Sequence, residues 1–212
     1  GRFPVILGGD HSIAAGSIAA VSKRHSGNIG VIWIDAHGDW NSEESTCTGN
    51  MHRMPFSAVC GYGPDCMVEF GQGAAPVNMA HCVQVGGRDI DDLERQRMAQ
   101  AGVTVFPINM IDKLGMGAVI EQAIQIAGEG TDGIHLSFDV DAITPEAVPG
   151  TGVIVYNGLT PREAFLAAEA IAESRKLISM DMVEVNPFLD TANKSGILAS
   201  ELIQSALGKS VY

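Results

Sequence analysis

The chain is poor in positive charge. Its 13 lysines and arginines face 25 acidic residues, for a formal net charge of −12. That balance argues against nucleic acid or an anionic membrane as partner, because both select basic surfaces. No apolar run approaches the length of a membrane-crossing helix, and no basic-then-apolar segment opens the chain. Cysteines are few. Cys47, Cys60, Cys66 and Cys82 form no CxxC pair and no disulfide-like framework. The simplest compartment is a reducing cytoplasm, with these thiols mostly buried as small apolar groups. Repeats, low-complexity tracts and linkers are also missing. What remains is 212 residues, 46% of them hydrophobic, enough for a substantial core in one domain spanning 1–212.

Apolar strand patterns alternate with helical ones throughout. Strands are expected at 4–7, 30–34, 81–86, 103–106, 133–138 and 177–185. Helices are expected at 12–25 with Ser12 as N-cap, at 91–101, at 108–128 with a break near Gly115-Met116-Gly117, at 161–174 and at 191–207. A polar loop follows Asp39, a short apolar stretch covers 54–60, and 61–80 reads as irregular. This alternation implies an α/β fold, a three-layer α/β/α arrangement around a mostly parallel sheet. Gly1-Arg2-Phe3 enters a buried strand almost at once, whereas edge strands usually come first or last, so an N-terminally shortened domain is expected.

Chemistry gathers where three of these strands end. Gly30-Val31-Ile32-Trp33-Ile34 runs into Asp35-Ala36-His37-Gly38-Asp39, with three ligand-type side chains at alternate positions. Pro4-Val5-Ile6-Leu7 runs into Gly8-Gly9-Asp10-His11-Ser12, and Ser137-Phe138 into Asp139-Val140-Asp141. Parallel sheets bind ligands beyond the carboxyl ends of their strands, so the three segments can meet in one crevice. His11, Asp35, His37, Asp39, Asp139 and Asp141 form a set of four carboxylates and two imidazoles, with no thiolate. Carboxylates crowded together repel unless cations lie between them. Six ligands exceed one tetrahedral zinc and suit two ions sharing carboxylates, and oxygen-rich ligation with some imidazole favours two Mn²⁺ per chain.

With these motifs in hand the chain resembles the ureohydrolases, and arginase most closely. Gly-Gly-Asp-His-Ser at 8–12, Asp-Ala-His-Gly-Asp at 35–39 and Ser-Phe-Asp-Val-Asp at 137–141 look like that family's three metal motifs. The likeness extends to Val183-Glu184-Val185-Asn186-Pro187 and the final helix, and lacks only an N-terminal portion. The resemblance implies that Asp35 and Asp139 bridge two metals, that His11 and Asp39 complete one ion, and that His37 and Asp141 complete the other. It implies hydrolysis of L-arginine to L-ornithine and urea by a metal-activated water that Asp39 also holds. It implies that Glu184 pairs with the substrate guanidinium and that His52 shuttles protons. Asn41, Thr46, Thr48 and Asn50 resemble the loop that reads the α-carboxylate through neutral donors, and Asp91 and Glu94 the pair near the α-amino group. Relatives form trimers and hexamers, which makes a homo-oligomer the family expectation.

The chain also departs from the family pattern. Thr144-Pro145 stands where Asp-Pro is usual, Val153 replaces a common threonine, Arg53 replaces the glycine after the shuttle histidine, and Asn157-Gly158 replaces Gly-Gly. None removes a ligand, but each bears on substrate choice. Two other readings compete: an amidinohydrolase for agmatine or a guanidino acid, and a catalytically dead metal-binding scaffold. The loop at 41–52 argues against agmatine, which has no carboxylate, while Arg53 keeps a guanidino acid open. Arg88 and Asp89 read as supporting structure, and His25, His81 and His135 as structural or surface residues.

Overall fold

Six short apolar segments pair side by side, all parallel, in the computed structural model, which describes residues 2–69 and 73–209. They are β1 (Val5–Leu7), β2 (Gly30–Ile34), β3 (Cys82–Val85), β4 (Thr104–Phe106), β5 (Ile134–Asp139) and β6 (Leu177–Val183), in the order β1-β6-β5-β2-β3-β4. Parallel neighbours need crossovers, and helices supply them: α1 (Ile13–Arg24), α2 (Pro55–Val59), α3 (Asp65–Val68), α4 (Asp92–Ala101), α5 (Ile108–Leu114), α6 (Met116–Gly128), α7 (Pro161–Ser174) and α8 (Lys194–Ala206). Strands β2, β3 and β5 are buried at every position, as expected of strands covered on both faces.

Alternate residues of β2 divide between the two faces. Ile32 and Ile34 join Ile120, Leu136, Ala167 and Leu202 under α5–α8, while Val31 and Trp33 join Ile18, Phe56 and Met98 under α1, α2 and α4. This is the three-layer arrangement the alternation implied. Gly30 is required by packing: a Cβ there would lie 1.8 Å from the Ala127 carbonyl oxygen of α6.

Several local expectations need correction. β1 is an edge strand among the described residues, only half-buried, with Leu7 70% exposed, because its sole ladder is to β6. Ser12 is not the side-chain cap of α1; the Asp10 carboxylate instead accepts the Ser12 amide at 2.9 Å. The stretch 61–80 contains α3 and leads into a 3-10 turn at Met79–His81, and its residues 70–72 lie outside the described ones. The break expected near 115 is present, Gly115 separating α5 from α6 at φ 82°.

Candidate metal centre

The central strands β6, β5 and β2 end at the same edge of the sheet, and their following loops converge there with the turn after β1. His11 is 1% exposed, Asp35 fully buried, and Asp139 and Asp141 at most 3% exposed. His11 Nδ1 lies 3.2 Å from Asp35 Oδ2, 3.1 Å from Asp39 Oδ2 and 3.1 Å from Asp139 Oδ2. His37 Nδ1 lies 3.3 Å from Asp35 Oδ1 and 3.0 Å from Asp141 Oδ2. The donors thus fall into two adjoining groups, one around His11, Asp35 and Asp139 and one around Asp35, His37 and Asp141. Asp35 alone belongs to both, turning one oxygen to each. Asp139 is placed with the first group, its Oδ1 accepting the Asp141 amide at 2.7 Å.

Burial and crowding oppose four charges in so small a volume. Burial and then the Asp35 charge push the Asp39 carboxyl well above the usual range, and burial, Asp141 and Asp35 do the same to Asp139. Burial disfavours a charged His37 ring, yet Asp141 and Asp35 outweigh it and push the ring up to about 12.

Hydrogen-bond bookkeeping tests whether cations belong here. Ser137 Oγ donates its single proton to Asp181 Oδ1 at 2.6 Å, and the same oxygen lies 2.8 Å from His11 Nε2. Ser137 can therefore only accept from His11, which puts a proton on Nε2. Nδ1 faces three carboxylate oxygens and has no partner in hydrogen-bond geometry. One N–H cannot point at three acceptors, whereas a cation between them satisfies all of them. Four carboxylates and two neutral imidazoles also match the charge of two divalent ions. The residues fit a binuclear metal centre.

Supporting contacts hold this geometry, and the sequence signalled few of them. Trp33 Nε1 donates to Asp35 Oδ2 at 2.9 Å, and its ring stacks on His11 at 4.2 Å and on Phe56 at 4.6 Å. Gln84 Nε2 donates to the carbonyls of Asp35 and His37 at 2.9 Å each, pinning the loop after β2. Arg88 ties the loop after β3 to that after β5, donating to the carbonyls of Asp141, Ala142 and Val155. Asp39 and Glu184 occupy the left-handed region at φ 49° and 60°, a conformation costing roughly 1–2 kcal/mol for a non-glycine residue.

Of the remaining candidates, Glu184 and His52 contact the turn after β1, and the others lie on the loop after Asp39 and at the start of α4. Glu184 is half-buried beyond β6; its Oε1 accepts the His11 amide at 2.7 Å. Burial raises its carboxyl above the ordinary value against the pull of that amide. His52, on a 3-10 turn at Met51–Arg53, places Nδ1 3.2 Å from Asp10 Oδ2 with a quarter of its side chain exposed. Asn41 is buried, its Oδ1 accepting from Ser45 while Nδ2 has no partner. Thr46 is half-buried and accepts the amides of Thr48 and Gly49; Thr48 and Asn50 are exposed. Asp91 is half-exposed at the start of α4.

Glu94 is placed differently from the expectation. It is fully buried, Oε1 accepting the Trp40 amide at 2.8 Å and Oε2 the Asp91 amide at 3.2 Å, so it caps α4 and props the loop after Asp39 rather than facing a ligand. A Cβ on Gly38 would lie 2.8 Å from its carboxyl carbon, so glycine is what lets that loop pass over it. Arg53, the departure beside His52, donates to Asp89 Oδ2 at 3.1 Å. His135 is a core residue of β5, its Nε2 2.9 Å from Asp181.

The comparisons agree with this geometry. The arginase family model matches residues 1–208. The arginase of Bacillus caldovelox is 42% identical over 209 residues, 99% of this chain and 70% of the relative. Its solved structure superposes with a TM-score of 0.96, covering all of this chain and 70% of that one. The Entamoeba histolytica arginase solved in complex with L-ornithine gives a TM-score of 0.90 at 33% identity, covering 98% of this chain and 70% of that one. With the motifs, the paired donor groups and a family match over nearly the whole length in agreement, the chain belongs to the arginase family.

Proposed function

We propose that the chain hydrolyses the guanidinium group of L-arginine to L-ornithine and urea at a pair of Mn²⁺ ions held by His11, Asp35, His37, Asp39, Asp139 and Asp141. The observation that carries the reading is the pair of buried donor groups sharing Asp35, in a chain 42% identical to a curated arginase. A bound metal pair supplies a Lewis acid and a water of lowered pKa.

The chain's own residues do the rest. Glu184 is anchored through Oε1 on the His11 amide, and Oε2, 3.5 Å from where a Cβ on Gly152 would be, is left to accept a guanidinium N–H. A carboxylate matches that planar fork and orients the carbon toward the centre. Asp39 accepts a hydrogen bond from the attacking water. Asn41 offers its unpartnered Nδ2 to the substrate carboxylate, with Thr46, Thr48 and Asn50 along the same loop, while Asp91 receives the α-amino group. His52, a quarter exposed and paired with Asp10, delivers a proton to the departing amine.

Arg53, the residue that keeps a guanidino acid open, already donates to Asp89 and is not a free cationic partner for such a substrate. We further infer one catalytic domain over 1–212, a cytoplasmic location, and a homo-oligomer, trimer or hexamer, by family resemblance. The test is urea release from L-arginine, agmatine and guanidinobutyrate with Mn²⁺ added. Arginine should dominate; comparable turnover of agmatine would reject the assignment.

A further inference from the structure

Beneath the metal centre lies a buried polar network around Asp181, a residue outside the three metal motifs and without a role in the mechanism above. Asp181, in the middle of β6, is fully buried. Its Oδ1 accepts from Ser137 Oγ at 2.6 Å, and its Oδ2 accepts from Ser17 Oγ at 2.6 Å and His135 Nε2 at 2.9 Å. His135 Nδ1 lies 2.8 Å from Ser179 Oγ. These residues come from α1, β5 and β6, and every bond to Asp181 is donated to it. A buried carboxylate is costly without partners, and a network this complete holds one arrangement.

We propose that Asp181 is a positioning residue for the metal centre: by taking the only proton of Ser137 it obliges Ser137 to accept from His11 Nε2, so that His11 turns a bare Nδ1 toward the metal. The inference rests on the binuclear reading above. Without an acceptor at Asp181, the Ser137 hydroxyl can rotate and donate to His11 Nε2. The ring proton then moves to Nδ1, the atom that meets Asp35, Asp39 and Asp139. A protonated nitrogen is no ligand. The consequence is confined to one ion, because the ring nitrogens of His37 face other groups. Its Nδ1 faces Asp35 and Asp141, and its Nε2 faces Asp89 at 3.4 Å.

Three variants separate positioning from bulk stability: Asp181→Leu, which keeps the branched shape and removes the acceptor, Ser137→Ala and the double variant, each titrated with Mn²⁺ and analysed for bound metal under a competing chelator. Partners one step behind a metal ligand typically contribute about 10–100-fold in affinity. Asp181→Leu should weaken one of the two ions by that factor and leave the other within about twofold. Ser137→Ala, a small change with Asp181 intact, should do the same even if Asp181→Leu folds poorly. The double variant should be no worse than Ser137→Ala, since Asp181 acts on His11 only through that hydroxyl. Nitrogen-15 spectra of histidine-labelled, Zn²⁺-loaded protein should show the His11 proton on Nε2 in the parent and lose that single state in Asp181→Leu. Equal weakening of both ions, additive effects in the double variant, or an unchanged split in Ser137→Ala would overturn the proposal. A parent protein that binds no Mn²⁺ would overturn the metal reading itself, and neither outcome depends on a urea assay.

Discussion

Replacing Glu94 by glutamine sets two physical effects against each other inside one side chain. Burial pushes the carboxyl up to about 7 from the ordinary 4.5, against the two backbone amides that favour the ionised form. The folded protein therefore binds this proton more tightly than the unfolded chain does. The stability tied to the protonated carboxyl is complete below about 4.5 and falls as pH rises toward about 7. At ~1.4 kcal/mol per pH unit, that window is worth about 3 kcal/mol. Glutamine keeps the shape but cannot ionise. Its amide group opposes one backbone N–H, a mismatch of roughly 1–3 kcal/mol that does not depend on pH. We expect Glu94→Gln to start below the parent at pH 4.5 and to gain about 3 kcal/mol on it by pH 7. The assay is urea denaturation of chelator-treated protein at stepped pH, followed by circular dichroism, with the parent curve subtracted so that shared titrations cancel. A flat difference would show that the two amides offset burial completely. A difference that moves against glutamine as pH rises would show that they exceed it, and either result would refute the reasoning.

Asp35→Ala should abolish binding of both ions, since its two oxygens face the two donor groups, whereas His11→Ala should empty one; elemental analysis after Mn²⁺ loading separates them, and equal losses would contradict the shared placement. His52→Asn should keep both metals and lose ~10²–10⁴ in kcat, with partial recovery from added imidazole. Metal lost in parallel with activity would make His52 a structural residue. Asp91→Ala should raise KM for arginine by roughly ten- to a hundredfold, the worth of a charge-assisted hydrogen bond, and change little for a substrate without the amino group.

The fold was legible where the pattern was periodic. The apolar run at 30–34 and the largely apolar one at 133–138 announced covered parallel strands, and the helix expected at 161–174 is α7 with the same bounds. The burial of β1 was not legible, because an apolar tripeptide looks the same at the edge of a sheet as in its middle. Within the site, the ligand-type residues could be seen because each follows a strand. Glu94 could not be assigned, since a carboxylate three residues past a helix start serves a cap as well as a ligand. Gln84, Trp33 and Asp181 sit inside apolar strands with no signal beyond being polar groups in buried runs. That incongruity was the one available clue to them.

The turn after β1 has a consequence for the order of assembly. It delivers His11 to partners 126 and 173 residues away, Ser137 and Glu184. Contacts so distant in sequence form only after long loops have closed, a slow step in folding. The donor group around His11 is therefore complete only when β5 and β6 are already in place, whereas Asp35 and His37 are near neighbours on one loop. An ion bound by the His11 group would act as a rivet between distant segments: at about a hundred times its dissociation constant it would add about 2.7 kcal/mol against their separation.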